Sequence, residues 1–232
     1  MNKKIKLFIG YDSKQDISDR LMHSNNAPYQ VCKKSVLDHN KEVEIYPLKL
    51  SSLQELGLYK RTEDTSATTE FTYSRFLVPF LSGYKGISIF CDSDFLWQCD
   101  IAEVIKYNND SNSVSCVKHE YTPKASTKMD GLKQTVYPRK NWSSLMVFNC
   151  EHPDCKNLSL EKINTESPKY LHRMSWTDDS NIGSLPLEFN WLEGEYESNI
   201  SPKVIHFTNG GPWHLTWNGD YSKEWLKVYN TI

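Results

Sequence analysis

Ile87-Ser88-Ile89-Phe90-Cys91 runs straight into Asp92-Ser93-Asp94 and then into Phe95-Leu96-Trp97. A short apolar run behind the breakers Gly83 and Gly86 reads as a buried strand. Such a strand suits the middle of a mostly parallel sheet covered on both faces. Two carboxylates inside so much apolar sequence need something that offsets their burial. Open α/β sheets bind ligands outside the carboxyl ends of their strands, and Asp92 and Asp94 fall at such an end. If the segment is extended, residues two apart point the same way and both carboxylates face one ion. Hard divalent cations take oxygen ligands and bridge to phosphate oxygens. The plainer reading of Asp-x-Asp is a turn in which Asp satisfies local backbone groups. The apolar flanks and the lack of glycine favour the ion.

The rest of the first half alternates strand and helix patterns, which argues for an α/β fold. Lys4 to Tyr11 reads as a strand ended by the turn Gly10-Tyr11-Asp12-Ser13. Pro28 to His39 reads as a helix with Pro near its first turn, and Val43 to Leu50 as a second strand. Glu70 to Leu81 has Phe71, Phe76, Leu77 and Phe80 at near-helical spacing, with Thr69 as cap. The second half is less regular. Strands are expected at Ser113 to Lys118, Ser143 to Asn149 and Val204 to Thr208, and helices at Pro168 to Met174 and Tyr221 to Tyr229. A polar stretch from His119 to Asn141, with Tyr121, Lys124, Lys128, Lys133, Tyr137 and Arg139, reads as a long loop with a function of its own, or as a solvated one.

A chain of 232 residues has room for one sizeable core, so residues 1–232 are read as one domain. The net charge of -2 and the lack of any basic stripe argue against nucleic acid as a partner. No run approaches the length of a membrane span, and the start reads as a strand rather than a signal peptide. The six cysteines include no CxxC pair, and several sit in strand-like runs as small apolar residues, so a reduced, cytoplasmic protein is the expectation. Cys150 and Cys155 read as structural rather than as metal ligands. Sequons at Asn141 and Asn199 matter only in a secreted chain.

Two blocks together carry a resemblance. The first is Thr72-Tyr73-Ser74-Arg75-Phe76-Leu77-Val78-Pro79-Phe80-Leu81, then the strand with Asp92-Ser93-Asp94, then Asp100-Ile101. The second is Val204-Ile205-His206-Phe207-Thr208-Asn209-Gly210-Gly211-Pro212-Trp213. In this order they resemble glycosyltransferase family 8 and its relatives. That resemblance implies a GT-A fold, a Rossmann-like nucleotide-diphosphosugar domain with a central, mostly parallel sheet flanked by helices. It implies a metal-dependent hexosyltransferase that uses a nucleotide sugar, with UDP-sugar as the donor, and a glycan or other hydroxyl acceptor. A close likeness implies retention at the anomeric carbon. It also implies Asp92, Asp94 and His206 as ligands of Mn²⁺ or Mg²⁺, which would stabilise the departing nucleoside diphosphate.

Further roles follow from the same resemblance. Gly10, Tyr11 and Asp12 would lie near base and ribose, although an ordinary Asp turn with a packed Tyr reads as well. Arg75 and Ser93 would sit near the donor, and Gly210 and Gly211 where backbone passes close to phosphates. Either Asp178 or Asp179 would lie beside the reacting carbon, unless the pair only caps a short helix. Two departures stand out. Gly211 occupies the place of a phosphate-binding Lys, with His214 or Lys128 as substitutes. Trp142 occupies the place of a sugar-binding Asn, which leaves Asn141, Ser143 and Ser144 as candidates. Leu185 to Trp191, with Asn190, reads as architecture. A non-catalytic sugar-nucleotide binder is the main rival. A sugar nucleotidyltransferase would need a basic, glycine-rich loop that Gly10 to Gln15 lacks.

Overall fold

The structure is a computed structural model that describes residues 4–16, 26–62, 67–120, 122, 138–197 and 200–232. Of the residues named above, Tyr121, Lys124, Lys128, Lys133, Tyr137 and Asn199 lie outside the described residues. The chain opens with β1 (Ile5–Tyr11), α1 (Ala27–His39), β2 (Val43–Lys49) and α2 (Leu50–Glu55). It continues through α3 (Val78–Leu81), β3 (Ile87–Cys91), β4 (Phe95–Trp97), α4 (Ala102–Ile105), β5 (Val114–Cys116) and β6 (Leu145–Asn149). It closes with α5 (Leu160–Thr165), α6 (Pro168–His172), β7 (Ile182–Ser184), β8 (Trp191–Leu192), β9 (Val204–His206) and α7 (Ser222–Tyr229).

The central sheet has six strands in the order β2-β1-β3-β6-β5-β7. Strand β6 pairs antiparallel with both neighbours, while the other pairings are parallel, so the sheet is mostly parallel with one reversed strand. After β1 the chain first lays β2 on one side and then β3 on the other. That reversal makes β1 a topological switch point, where such sheets bind ligands. A second sheet, β4-β9-β8, has three strands.

Period-two alternation divides the buried side chains between the sheet's faces. Phe8, Phe90, Met146 and Phe148 join one cluster with Leu53 of α2, Val78 of α3, Ile163 of α5 and Leu171 of α6. Leu7, Ile9, Ile89, Leu145 and Val147 join another with Tyr29, Cys32 and Val36 of α1 and with Phe95 and Trp97 of β4. Strand β4 repeats the division. Leu96 turns to a third cluster with Val31 of α1, Ile205, Trp213 and Trp225 of α7. A fully buried side chain of the Leu, Ile or Phe kind is worth roughly 1.5–3 kcal/mol, so these faces carry much of the favourable side of folding.

Two local expectations are corrected. Residues 70–81 are not one helix: turns lead into a 3₁₀ segment, Ser74–Leu77, and then the single α turn of α3. Pro79 has no N–H for the Arg75 carbonyl and its ring clashes there, so an α-helix cannot run through it. Thr69 and Thr72 instead tie off the start, with the Thr72 hydroxyl donating to the Thr69 carbonyl at 2.8 Å. Nor is Asp92-Ser93-Asp94 extended. It is a turn between two strands of different sheets, since β3 ends at Cys91 and β4 begins at Phe95.

All six cysteines are free and buried. No helix among the described residues is long and apolar enough to cross a membrane.

Candidate active site

The turn brings the two carboxylates together by a route other than strand alternation. The Asp92 N–H donates to the Ser144 carbonyl at 2.9 Å, and the Phe207 N–H donates to the Asp94 carbonyl at 3.0 Å. Phe95 and His206 are opposite each other in the β4–β9 ladder, so His206 arrives beside Asp94. One ligand atom from each of Asp92, Asp94 and His206 falls within 4.8 Å of the others.

The side chains around this trio are held from behind. The Arg75 guanidinium lies 2.8 Å from Asp92 Oδ1 and also donates to the carbonyls of Ser143 and Phe71. Arg75 is buried, so losing Asp92 would strand its charge away from water. The His206 ring stacks on Phe95 with centroids 4.4 Å apart. Its tautomer follows from a chain of bonds. The Ser144 hydroxyl donates to the Asn141 carbonyl at 2.7 Å, so it must accept from Asn190 Nδ2 at 2.9 Å. That leaves Asn190 Oδ1 facing His206 Nδ1 at 3.0 Å, and Nδ1 carries the proton.

In the neutral ring that leaves Nε2 as the acceptor nitrogen, 3.4 Å from Asp94 Oδ1. Two acceptors face each other, an arrangement that calls for a cation or a further proton between them. Two carboxylates and a neutral imidazole suit Mn²⁺ and also accept Mg²⁺, so the residues fit the metal.

The trio lies in a cavity of about 500 Å³ at the carboxyl ends of β1 and β3, a volume typical of small-molecule sites. Ser93, Arg75, Asn141, Ser143 and Ser144 line it with the trio. Asn141, at φ 62°, donates weakly to Thr208 Oγ1 at 3.4 Å, while Trp142 turns its indole N–H away to the His119 carbonyl.

Other residues singled out from sequence sit elsewhere. The Gly10 Cβ position is filled by the Phe71 ring at 2.5 Å, so this glycine serves packing. Tyr11 is outside the lining: its hydroxyl donates to Asp16 at 2.6 Å, and its ring meets Tyr29 and Lys49. Asp12 caps the 3₁₀ turn that carries the lining residue Gln15, and burial raises its pKa. Gly210 has φ 111°, which only glycine tolerates readily, and lies two residues after the lining residue Thr208. A Cβ on Gly211 would strike the Trp213 ring at 2.2 Å. His214 is packed near Trp213 and outside the lining. Asp178 is fully exposed and caps a 3₁₀ turn through the Ser180 N–H, which lowers its pKa. Asp179 pairs with Arg139 at 2.6 Å, and neither aspartate lines the cavity.

Several lining residues were not found by sequence reasoning. His172 is tied to the Ser143 hydroxyl at 2.9 Å, and burial together with Arg75 and Arg61 lowers its pKa to about 3. Lys140, Lys169 and Arg173 also line the cavity. Asn190, read as architecture, sets the His206 tautomer. Its Leu-Pro-x-x-x-Asn spacing was visible, but nothing local tied it to His206.

Solved structures share this arrangement of elements. The bifunctional glycosyltransferase WbbM superposes with a TM-score of 0.66 at 15% identity, over 99% of this chain and 50% of its own. The galactosyltransferase LgtC, solved with donor and acceptor sugar analogs, gives 0.62 at 9% identity, over 98% of this chain and 96% of its own. GlyE of Streptococcus pneumoniae TIGR4 gives 0.60 at 13% identity, over 98% and 60%. The fold is therefore the GT-A-like fold of glycosyltransferases. No protein-family model matches the chain. Protein CDI of Arabidopsis thaliana is 43% identical over 231 residues, 97% of this chain and 85% of that protein. The chain belongs to the family of that protein.

Proposed function

We propose that this protein is a metal-dependent glycosyltransferase of the family-8 kind, one GT-A domain over residues 1–232, which moves a hexose from a UDP-sugar to a hydroxyl acceptor. The observation that carries this reading is the convergence of Asp92, Asp94 and His206 in a 500 Å³ cavity at a sheet switch point. A divalent ion there would act as a Lewis acid on the leaving nucleoside diphosphate. The chain's own residues do the positioning. Arg75 fixes the Asp92 carboxylate in place, and Asn190 holds the His206 ring with Nε2 aimed into the cluster. Ser93, Asn141 and Ser143 offer hydrogen bonds to a bound sugar from the cavity wall.

Retention is the outcome this lining favours. An inverting transferase needs a carboxylate base against the acceptor hydroxyl. Among the described residues the lining holds no carboxylate beyond Asp92 and Asp94. Asp178 and Asp179 lie off it, so the closest part we assign to Asp179 is to fix Arg139, next to the lining residue Lys140.

The test is release of UDP from a panel of UDP-sugars with Mn²⁺, alongside binding of UDP by calorimetry. Turnover of one donor that chelator or Asp94→Ala abolishes is the expected result. Absence of any Mn²⁺-dependent UDP or GDP binding would sink the reading. Tight Mn²⁺-dependent UDP binding with no turnover, even with an acceptor panel, would leave a binder in place of an enzyme.

A further inference from the structure

We propose that Ser143 and His172 act as one hydrogen-bonding unit that holds hydroxyl groups of the sugar being transferred. This rests on the glycosyltransferase reading and adds His172 to the residues that touch the donor. Both line the cavity that holds Asp92, Asp94 and His206. The Ser143 hydroxyl and His172 Nδ1 share one hydrogen bond of 2.9 Å. The other ring nitrogen, Nε2, has no hydrogen-bond partner among the described residues and keeps accessible surface. Aromatic neighbours fix the ring: Phe76 meets it edge-on with centroids 5.2 Å apart, and Tyr73 lies at 6.0 Å.

The chemistry of the pair selects hydroxyls. A neutral imidazole has one donor and one acceptor nitrogen, and a serine hydroxyl donates once and accepts. If Ser143 donates to Nδ1, Nε2 carries the ring proton and the Ser143 oxygen still accepts. If Nδ1 donates to Ser143, the hydroxyl proton is left to donate and Nε2 accepts. Either way the pair shows a ligand one donor and one acceptor. Phosphate and carboxylate offer acceptors alone, and the accepting half of the pair would oppose them. Sugar hydroxyls both donate and accept, so they match both halves. His172 keeps this balance because burial, with Arg75 and Arg61 nearby, holds it neutral. Position selects the transferred sugar. The Ser143 carbonyl accepts from Arg75 at 2.9 Å, and Arg75 lies 2.8 Å from Asp92 Oδ1. The pair is thus one residue removed from Asp92, on the side where a metal-bound diphosphate would carry its sugar.

The experiment uses the full chain loaded with Mn²⁺, titrated by calorimetry with UDP, UDP-glucose, UDP-galactose and UDP-N-acetylglucosamine. In His172→Phe the UDP-sugar that wild type binds most tightly should bind about five- to tenfold more weakly, the worth of one or two neutral hydrogen bonds, while UDP binds as before. Ser143→Ala should give a similar loss, and the double variant little more than either alone. His172→Gln should hold that UDP-sugar more tightly than His172→Phe, because its amide still offers a donor and an acceptor. A ring that only fills space beside Phe76 and Tyr73 would rank the two variants the other way. Unchanged UDP-sugar affinity in His172→Phe, additive losses or the reverse ranking each overturn the proposal. So does an equal loss for UDP, which would put the pair on the nucleotide. Wild type that binds UDP but no UDP-sugar overturns it as well. Wild type that binds neither UDP nor any UDP-sugar with Mn²⁺ overturns the transferase reading itself, and the donor contact with it. Circular dichroism checks the fold of each variant, and Ser143→Ala with His172→Gln carries the test if His172→Phe unfolds.

Discussion

At the scale of single residues, the site depends on groups that never face a ligand. Asn190 is the clearest. Its amide links Ser144 to His206 and decides which imidazole nitrogen points at Asp94. Asn190→Ala should lower Mn²⁺ affinity about 10–100-fold, the range seen for partners behind a ligand histidine, with the fold intact. Calorimetric Mn²⁺ titration checks it, and unchanged affinity would refute the tautomer chain. Two other histidines bear on acid stability. Burial, with His206 nearby, lowers the His119 pKa to about 3, and His172 is lowered to about 3 as well. Unfolded chains protonate histidine near the usual value of 6.5, so between about pH 6.5 and 3 the unfolded state holds more protons. Stability is complete above that window and falls as pH drops through it, by about 1.4 kcal/mol per pH unit for each histidine. Urea midpoints at pH 7.5, 6 and 5 should show a shallower decline in His172→Phe than in wild type; equal declines would mean that His172 is not held neutral.

At the scale of elements, backbone approach matters more than propensity. The 3₁₀ segment bearing Arg75 starts where Phe71 fills the space above Gly10. Gly10→Ala drives a Cβ into that ring and should cost about 1–3 kcal/mol, the usual range for overpacking. Since the Phe71 carbonyl also accepts from Arg75 Nε, the same change should weaken Mn²⁺-dependent UDP binding. Urea unfolding and UDP calorimetry read the two effects, and a stable Gly10→Ala protein with wild-type UDP affinity would show that this contact does not support the site. The first three strands of the central sheet were legible, from apolar runs at β1 and β3 and from alternation at β2: Ile87–Cys91 is a strand over the expected span, and β1 and β2 differ by a residue at an end. The expected helix over 70–81 was not, because apolar spacing there reports burial while Pro79 vetoes the helix. Strand β4, unforeseen, is three residues long, too short to show a period.

At the scale of the whole molecule, metal and nucleotide should act as a clamp on the native state. They join the β3–β4 turn to β9, which belong to separate parts of the sequence. A ligand at a hundred times its dissociation constant adds about 2.7 kcal/mol. For a chain of this size that raises Tm by about 5–10 °C. Mn²⁺ with UDP should give such a shift, and Asp94→Ala should remove it. A shift that persists in Asp94→Ala would place the nucleotide elsewhere.

What the sequence determined by itself is local. Alternation and apolar runs set the strands, and Asp-x-Asp after an apolar strand marked the floor of the site, since these patterns follow from burial of neighbours along one chain. The grouping of Asp92, Asp94 and His206 was expected from the resemblance, but that Asn190 faces His206, and that His172, Lys140, Lys169 and Arg173 line the same cavity, was decided only by the tertiary structure. Each depends on a partner brought close by sheet order and helix packing, and no local period encodes which distant residue that is.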